Sequence, residues 1–77
     1  MKNKKYYETS DLALTTTISL FFPIKSIDSS NKTRVIFVFD RSQKIDELVK
    51  KYWDGNLKVE PQKFFNQLKI IKTRLYS

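Results

Sequence analysis

The residues best suited to chemistry in this chain lie near its C-terminal end. Read as a helix, residues 61 to 76 place Phe65, Lys69, Lys72 and Tyr76 along one flank, and Lys63, Ile70 and Arg74 along the other. Cations interleaved with rings suit a polyanion, because ammonium groups neutralise phosphates while aromatic faces stack on unpaired bases. The plainer reading is a solvated face whose lysine stems cover the edge of the core. Lys32, Arg34 and Arg41, with Lys2, Lys4 and Lys5, would extend the basic surface if the hairpin and the N-terminus lie alongside.

Catalysis finds little support in the residue types. There is no His and no Cys, so a nucleophile and its base would have to come from Ser, Thr, Lys or a carboxylate, and no spacing suggests such a pair. Asp11, Asp28 and Asp40 could hold magnesium for phosphodiester chemistry if the fold joined them. Each also has an ordinary role: Asp11 and Asp40 stand at expected helix starts and Asp28 opens an expected turn. The expectation is a non-enzymatic protein without cofactor or metal.

Charge points the same way as the C-terminal flank. Fifteen Lys and Arg against eight Asp and Glu give +7 and a pI near 9.8, which favours nucleic acid or an acidic protein surface as partner. The excess is concentrated. Residues 57 to 77 carry +4 (Lys58, Lys63, Lys69, Lys72 and Arg74 against Glu60), residues 32 to 44 carry +3, and residues 1 to 9 carry +2. The segments between are slightly acidic.

These groups need elements to hold them, and the stretch that organises the chain is Arg34-Val35-Ile36-Phe37-Val38-Phe39-Asp40. As a strand it shows apolar side chains on both faces, so it is expected in the middle of a small antiparallel sheet with helices on at least one side. Tyr6 to Glu8 reads as a short strand. Thr9 or Ser10 then reads as an N-cap for a first helix over about 10–21, although Thr15-Thr16-Thr17 would also suit a strand. Pro23 to Ile27 is extended, and Asp28-Ser29-Ser30-Asn31 turns the chain back into the central strand.

The second helix, about 42–54, is the clearest. Asp40 or Ser42 would cap it, Ile45, Leu48, Val49, Tyr52 and Trp53 follow the i, i+3, i+4, i+7, i+8 pattern, and Asp46 and Glu47 precede Lys50 and Lys51 by four. Trp53 on that stripe is expected in the core, where Trp53→Ala would cost about 3–5 kcal/mol. Gly55 suits a left-handed cap, Leu57-Lys58-Val59 reads as a short edge strand, and Pro61 suits the first turn of the third helix. In that helix Phe64, Leu68, Ile71 and Leu75 fall in a narrow inward arc. The second and third helices are expected to supply most of the core.

With these elements placed, the chain resembles a family of short uncharacterised domains of phage and bacterial genomes. The matching stretches are Tyr7-Glu8-Thr9-Ser10-Asp11-Leu12-Ala13-Leu14, Arg34-Val35-Ile36-Phe37-Val38-Phe39, Tyr52-Trp53-Asp54-Gly55 and Phe64-Phe65. The resemblance implies a single small α+β domain, carries no activity, and departs from the family at Thr15-Thr16-Thr17, where small residues are usual.

The whole chain, 1–77, is expected to be one domain that, at this size, buries only about 60% of the surface of its unfolded chain. Lys2, Lys4 and Lys5 before Leu12 to Phe22 imitate a secretory leader, but Glu8 and Asp11 interrupt it, and the run is too short and polar to span a bilayer. A cytoplasmic protein without membrane contact is therefore the default. The expected function is nucleic-acid binding through the phosphate backbone, with Lys63, Phe65, Lys69, Lys72, Arg74, Tyr76, Lys32, Arg34 and Arg41 as candidate contacts. The second expectation is a protein-interaction module, a phage-type modulator docking on an acidic partner through the same surface. Arg34, Phe37 and Phe39 also faintly resemble the base-stacking sheet of RNA-recognition modules, although rings in so small a chain are more often needed for the core.

Overall fold

The computed structural model describes residues 5–31 and 33–76. The elements follow one another as β1 (Tyr6–Thr9), α1 (Leu12–Ser19), β2 (Ser26–Asp28), β3 (Ile36–Asp40), α2 (Gln43–Asp54) and α3 (Pro61–Tyr76). This is the expected α+β arrangement: a three-stranded antiparallel sheet in the order β1-β3-β2, with three helices.

The central place of β3 follows from its composition. Phe37 and Phe39 point inward and are 2% and 0% exposed, and the register sets Tyr7 of β1 opposite Phe39 and Ile27 of β2 opposite Phe37 on the same face. The other face carries Ile36 and Val38 half-buried among polar neighbours. There Tyr6 faces Asp40, Lys25 pairs with Asp40 at 3.4 Å, and the Lys25 ammonium stands 5.6 Å from the Tyr6 ring centroid. Helices therefore cover one face only, and the buried rings of Phe37 and Phe39 serve the core and are closed to base stacking.

α1 is a helix despite its three threonines, and shorter than expected. Asp11, not Thr9 or Ser10, is its N-cap, with Oδ1 accepting from the Leu14 N–H at 3.0 Å. Thr16 and Thr17 donate their hydroxyls back to the Leu12 and Ala13 carbonyls at 2.8 and 3.0 Å, which allows polar side chains to be buried inside a helix. The helix ends at Ser19, so Phe21 lies beyond it and is exposed, while Phe22 and Ile24 pack on the core.

The distribution of the core corrects one expectation. α1 packs against both α2 and α3 and buries Leu14, Thr15, Thr16, Thr17 and Ile18, whereas α2 and α3 each bury one residue fully, Ile45 and Ile71. A helix flanked by neighbours on several sides buries more of its circumference than an outer one, whatever their relative hydrophobicity.

α2 is capped by Ser42, whose hydroxyl accepts from the Ile45 N–H at 3.2 Å, and ends at Gly55 with φ 75°. Only glycine adopts that conformation without strain, and the turn sends Gly55 and Asn56 N–H groups back to the Tyr52 and Lys51 carbonyls. Trp53 is 64% exposed, which overturns its assignment to the core: α2 rests on α1 along Ile45, Leu48, Val49 and Tyr52, and Trp53 falls at the edge of that arc. Its ring instead meets Tyr52 edge-on at 5.1 Å. Leu57-Lys58-Val59 forms no strand: the sheet holds β1, β3 and β2 only, and this segment is the linker between α2 and α3, with Leu57 and Val59 half-buried and Lys58 exposed. No helix among the described residues is long and apolar enough to cross a membrane.

Candidate functional site

α3 sets the geometry of the basic flank. Its first turn is closed by Glu60, whose carboxylate accepts from the Lys63 N–H at 2.7 Å and whose carbonyl accepts from the Phe64 N–H at 3.0 Å. The inward arc is as expected, with Ile71 buried and Phe64, Leu68 and Leu75 half-buried. That arc fixes the rotation of the helix, and so turns Phe65, Lys69, Lys72 and Tyr76 to solvent. Phe65 is 59% exposed and Tyr76 83%. The helix carries Lys63, Lys69, Lys72 and Arg74 and no carboxylate from Pro61 to Tyr76.

Phe65 stands between two depressions. On one side is a cleft of about 390 Å³ lined by Thr17 of α1, Tyr52 of α2, Leu57, Val59 and Pro61 of the linker, and Phe64 and Phe65. On the other is an open hollow lined by Gln62, Phe65, Asn66 and Lys69. Phe64 fixes the Phe65 ring nearly at a right angle, with centroids 6.1 Å apart, so an exposed aromatic is held by a half-buried one. Burial within the cleft wall also raises the pKa of the Tyr52 phenol above 10.0, with the Asp11 charge adding to it.

The candidate cations are not all neighbours. Lys69 joins Phe65 directly, and helical spacing continues the stripe to Lys72 and Tyr76. Lys63 and Arg74 occupy the opposite flank of α3 with the exposed Ile70. Arg34 and Arg41 lie beyond opposite ends of β3, about 20 Å or more apart at strand rise, so one local patch cannot hold both. Arg41 is also forked onto Asp46, with Nε to Oδ1 at 3.1 Å and Nη2 to Oδ2 at 3.3 Å, which draws Asp46 toward the cap of α2. Lys32, Lys2 and Lys4 lie outside the described residues; Lys5 is described and exposed.

The three aspartates of the magnesium reading stay apart in role. Asp11 caps α1, Asp28 accepts from the N–H and hydroxyl of Ser30, and Asp40 pairs with Lys25. The Ser30 bonds hold the Asp28 carboxyl below its ordinary pKa. Among the described residues no three His, Cys, Asp or Glu side chains gather where a metal ion could be held.

Sequence reasoning had located the Phe65 stripe but not the cleft beside it. Thr17, Tyr52, Leu57, Val59 and Phe64 each read as core or strand, and the only hint was the alternation of Leu57 and Val59 running into Pro61. Fold and surface together define a small basic α+β domain with an aromatic and lysine-bearing outer helix. The model of a family described as a domain of unknown function, DUF5659, matches residues 4–77, and the chain belongs to that family. No curated protein and no solved structure matches it.

Proposed function

We propose that this chain is a small, non-enzymatic accessory protein of the cytoplasm that binds nucleic acid through its phosphate backbone, with modest sequence specificity. One observation carries the reading: α3 is free of carboxylates and turns to solvent a flank on which Lys69 and Lys72 stand beside the exposed rings of Phe65 and Tyr76, with Lys63 and Arg74 on the opposite flank. Exposed rings cost solvation and are usually buried, so their presentation beside cations suits a polyanion with stackable bases. Lys and Arg would neutralise phosphates, releasing counterions, while the rings add contacts to bases.

The test is titration over a salt series. With about five phosphates neutralised, log affinity should fall against log salt with a slope near −3.5 on single strands and −4.5 on duplex. Changing Lys69 and Lys72 both to Glu should lower affinity by about tenfold or more. The melting temperature should hardly move, because exposed charges contribute little to stability. Normal binding by that folded double variant would remove α3 as the interface. A second reading, a modulator of phage type docking on an acidic protein, draws support from Trp53, a residue type enriched in protein interfaces and here mostly exposed. Absence of binding to either form of nucleic acid at 50 mM salt would promote it.

A further inference from the structure

The cleft beside Phe65 says more than the charge does, because its walls are of one kind. Tyr52, Phe64 and Phe65 contribute rings, Leu57, Val59 and Pro61 contribute apolar edges, and Thr17, whose hydroxyl is bonded to the Ala13 carbonyl, completes the lining. Its volume of about 390 Å³ falls in the range of small-molecule sites, about 300–1,000 Å³. A flat apolar guest would match a slot of this composition, and a charged tail leading out past Phe65 would meet Lys69 in the hollow beyond that ring.

We infer that this cleft takes one unpaired base of a single-stranded nucleic acid, stacked on Phe65, with the strand continuing along α3 so that its phosphates meet Lys69 and Lys72. The inference rests on the nucleic-acid reading above and deepens it by naming the form bound. Charge complementarity selects the occupant: Lys69 and Lys72 lie about 6 and 10 Å along the helix axis from Phe65, in line with it and on a helix that has no carboxylate to repel phosphate. Gln62 and Asn66 line the hollow on the far side of the Phe65 ring, where their amide groups are placed to meet the neighbouring nucleotide as the strand leaves the cleft. The Phe65 ring is already oriented by Phe64, so stacking requires little further ordering. A paired base cannot enter such a slot without leaving its helix, so the cleft favours single strands over duplex.

The chain carries its own reporter. Trp53 is its single tryptophan and touches Tyr52, one wall of the cleft, so a base entering there should change Trp53 fluorescence. The experiment titrates the full-length protein with an oligonucleotide of about 12 nucleotides, its duplex, and the same strand lacking bases, following anisotropy and Trp53 emission. Variants are Phe65→Ala, Phe65→Leu and Phe65→Trp, each checked by thermal melting.

Expected are tenfold or greater preference for the strand with bases over both duplex and abasic strand, and a Trp53 response to that strand alone. Phe65→Ala and Phe65→Leu should each lose about tenfold on the single strand with duplex binding and salt slope unchanged, while Phe65→Trp retains affinity. Phe65→Leu keeps the site apolar, so it serves if Phe65→Ala fails to fold. Equal binding of strand, duplex and abasic strand, unaffected by Phe65 but abolished by Lys69→Glu with Lys72→Glu, would overturn the base-in-cleft inference and leave the nucleic-acid reading standing. No binding to any of the three at low salt would overturn both. Cleft occupancy by an acidic peptide, with the Trp53 response appearing for that peptide and for no nucleic acid, would do the same and assign the surface to a protein partner.

Discussion

Replacing Thr15 by valine perturbs the buried helix α1 at a side-chain hydroxyl left unmatched among the described residues. Thr15 is 0% exposed, and its Oγ1 finds no hydrogen-bond partner among the described residues, whereas the neighbouring Thr16 and Thr17 hydroxyls bond to the Leu12 and Ala13 carbonyls. A buried hydroxyl without a partner costs about 1–3 kcal/mol, and valine has nearly the same shape, the same branching at Cβ and a similar helix propensity. Substitution should thus exchange an unsatisfied oxygen for a methyl group without opening a cavity. We expect Thr15→Val to stabilise the fold by about 1 kcal/mol, which in a domain of this size raises the melting temperature by about 4–8 °C. Thr16→Val removes a satisfied bond and should lower stability by about 0.5–1.5 kcal/mol. Circular dichroism melts of both variants beside the parent, with urea midpoints as a second measure, decide the order. A lower midpoint for Thr15→Val would refute the reasoning, since it would mean that the hydroxyl has a buried partner after all.

Two further outcomes follow from burial. With about a third of its surface covered, roughly 50–80 Å² of a large ring, Trp53→Ala should cost about 1–2 kcal/mol in a urea melt; a loss of 3–5 kcal/mol, the value expected for Phe39→Ala, would place Trp53 back in the core. Alkaline stability should fall through the phenols. The pKa of Tyr7 is raised above 10.0 by burial, helped by Asp11 and Asp46 and opposed by Arg41, and that of Tyr52 is raised by burial and then Asp11. Above pH 10 the unfolded chain releases these protons while the folded chain still holds them, so stability is full below pH 10 and declines as pH rises through the folded values. Urea midpoints from pH 8 to 11 should show the decline, and Tyr7→Phe with Tyr52→Phe should flatten it; an identical slope in that pair would assign the loss to other groups.

What could be read from the sequence was whatever depends on neighbours in the chain. The inward arc of α3, the Gly55 cap and the central place of β3 each follow from spacing or from a single residue's backbone preference, and each stands in the structure. α1 was the ambiguous case, because a Thr triplet suits a strand until its hydroxyls find the carbonyls one turn back. Those bonds are local to the helix, and they satisfy hydroxyls that the packing of α1 against α2 and α3 leaves buried, which is the part the sequence does not show. Trp53 failed for the complementary reason: a helical wheel shows which residues are apolar, but not how wide an arc the partner helix covers.

The cleft could not be read for a stronger form of the same reason. Its walls come from α1, α2, the linker and α3, and every wall residue taken alone is of the kind that fills a core. Whether such residues close on one another or leave a slot depends on how α2 and α3 are placed, and the chain joins them through the left-handed turn at Gly55 and a short linker to Pro61. Along it Leu57 and Val59 are half-buried and Lys58 is exposed. Tyr52 and Phe64 both line the resulting cleft, and Phe65, one residue beyond the inward arc, stands exposed on its wall. The charge of α3 was visible from composition, and the exposure of Phe65 from the inward arc of the same helix; the cleft beside that ring also needs the linker of five residues, 56 to 60, whose Leu57 and Val59 form part of its wall.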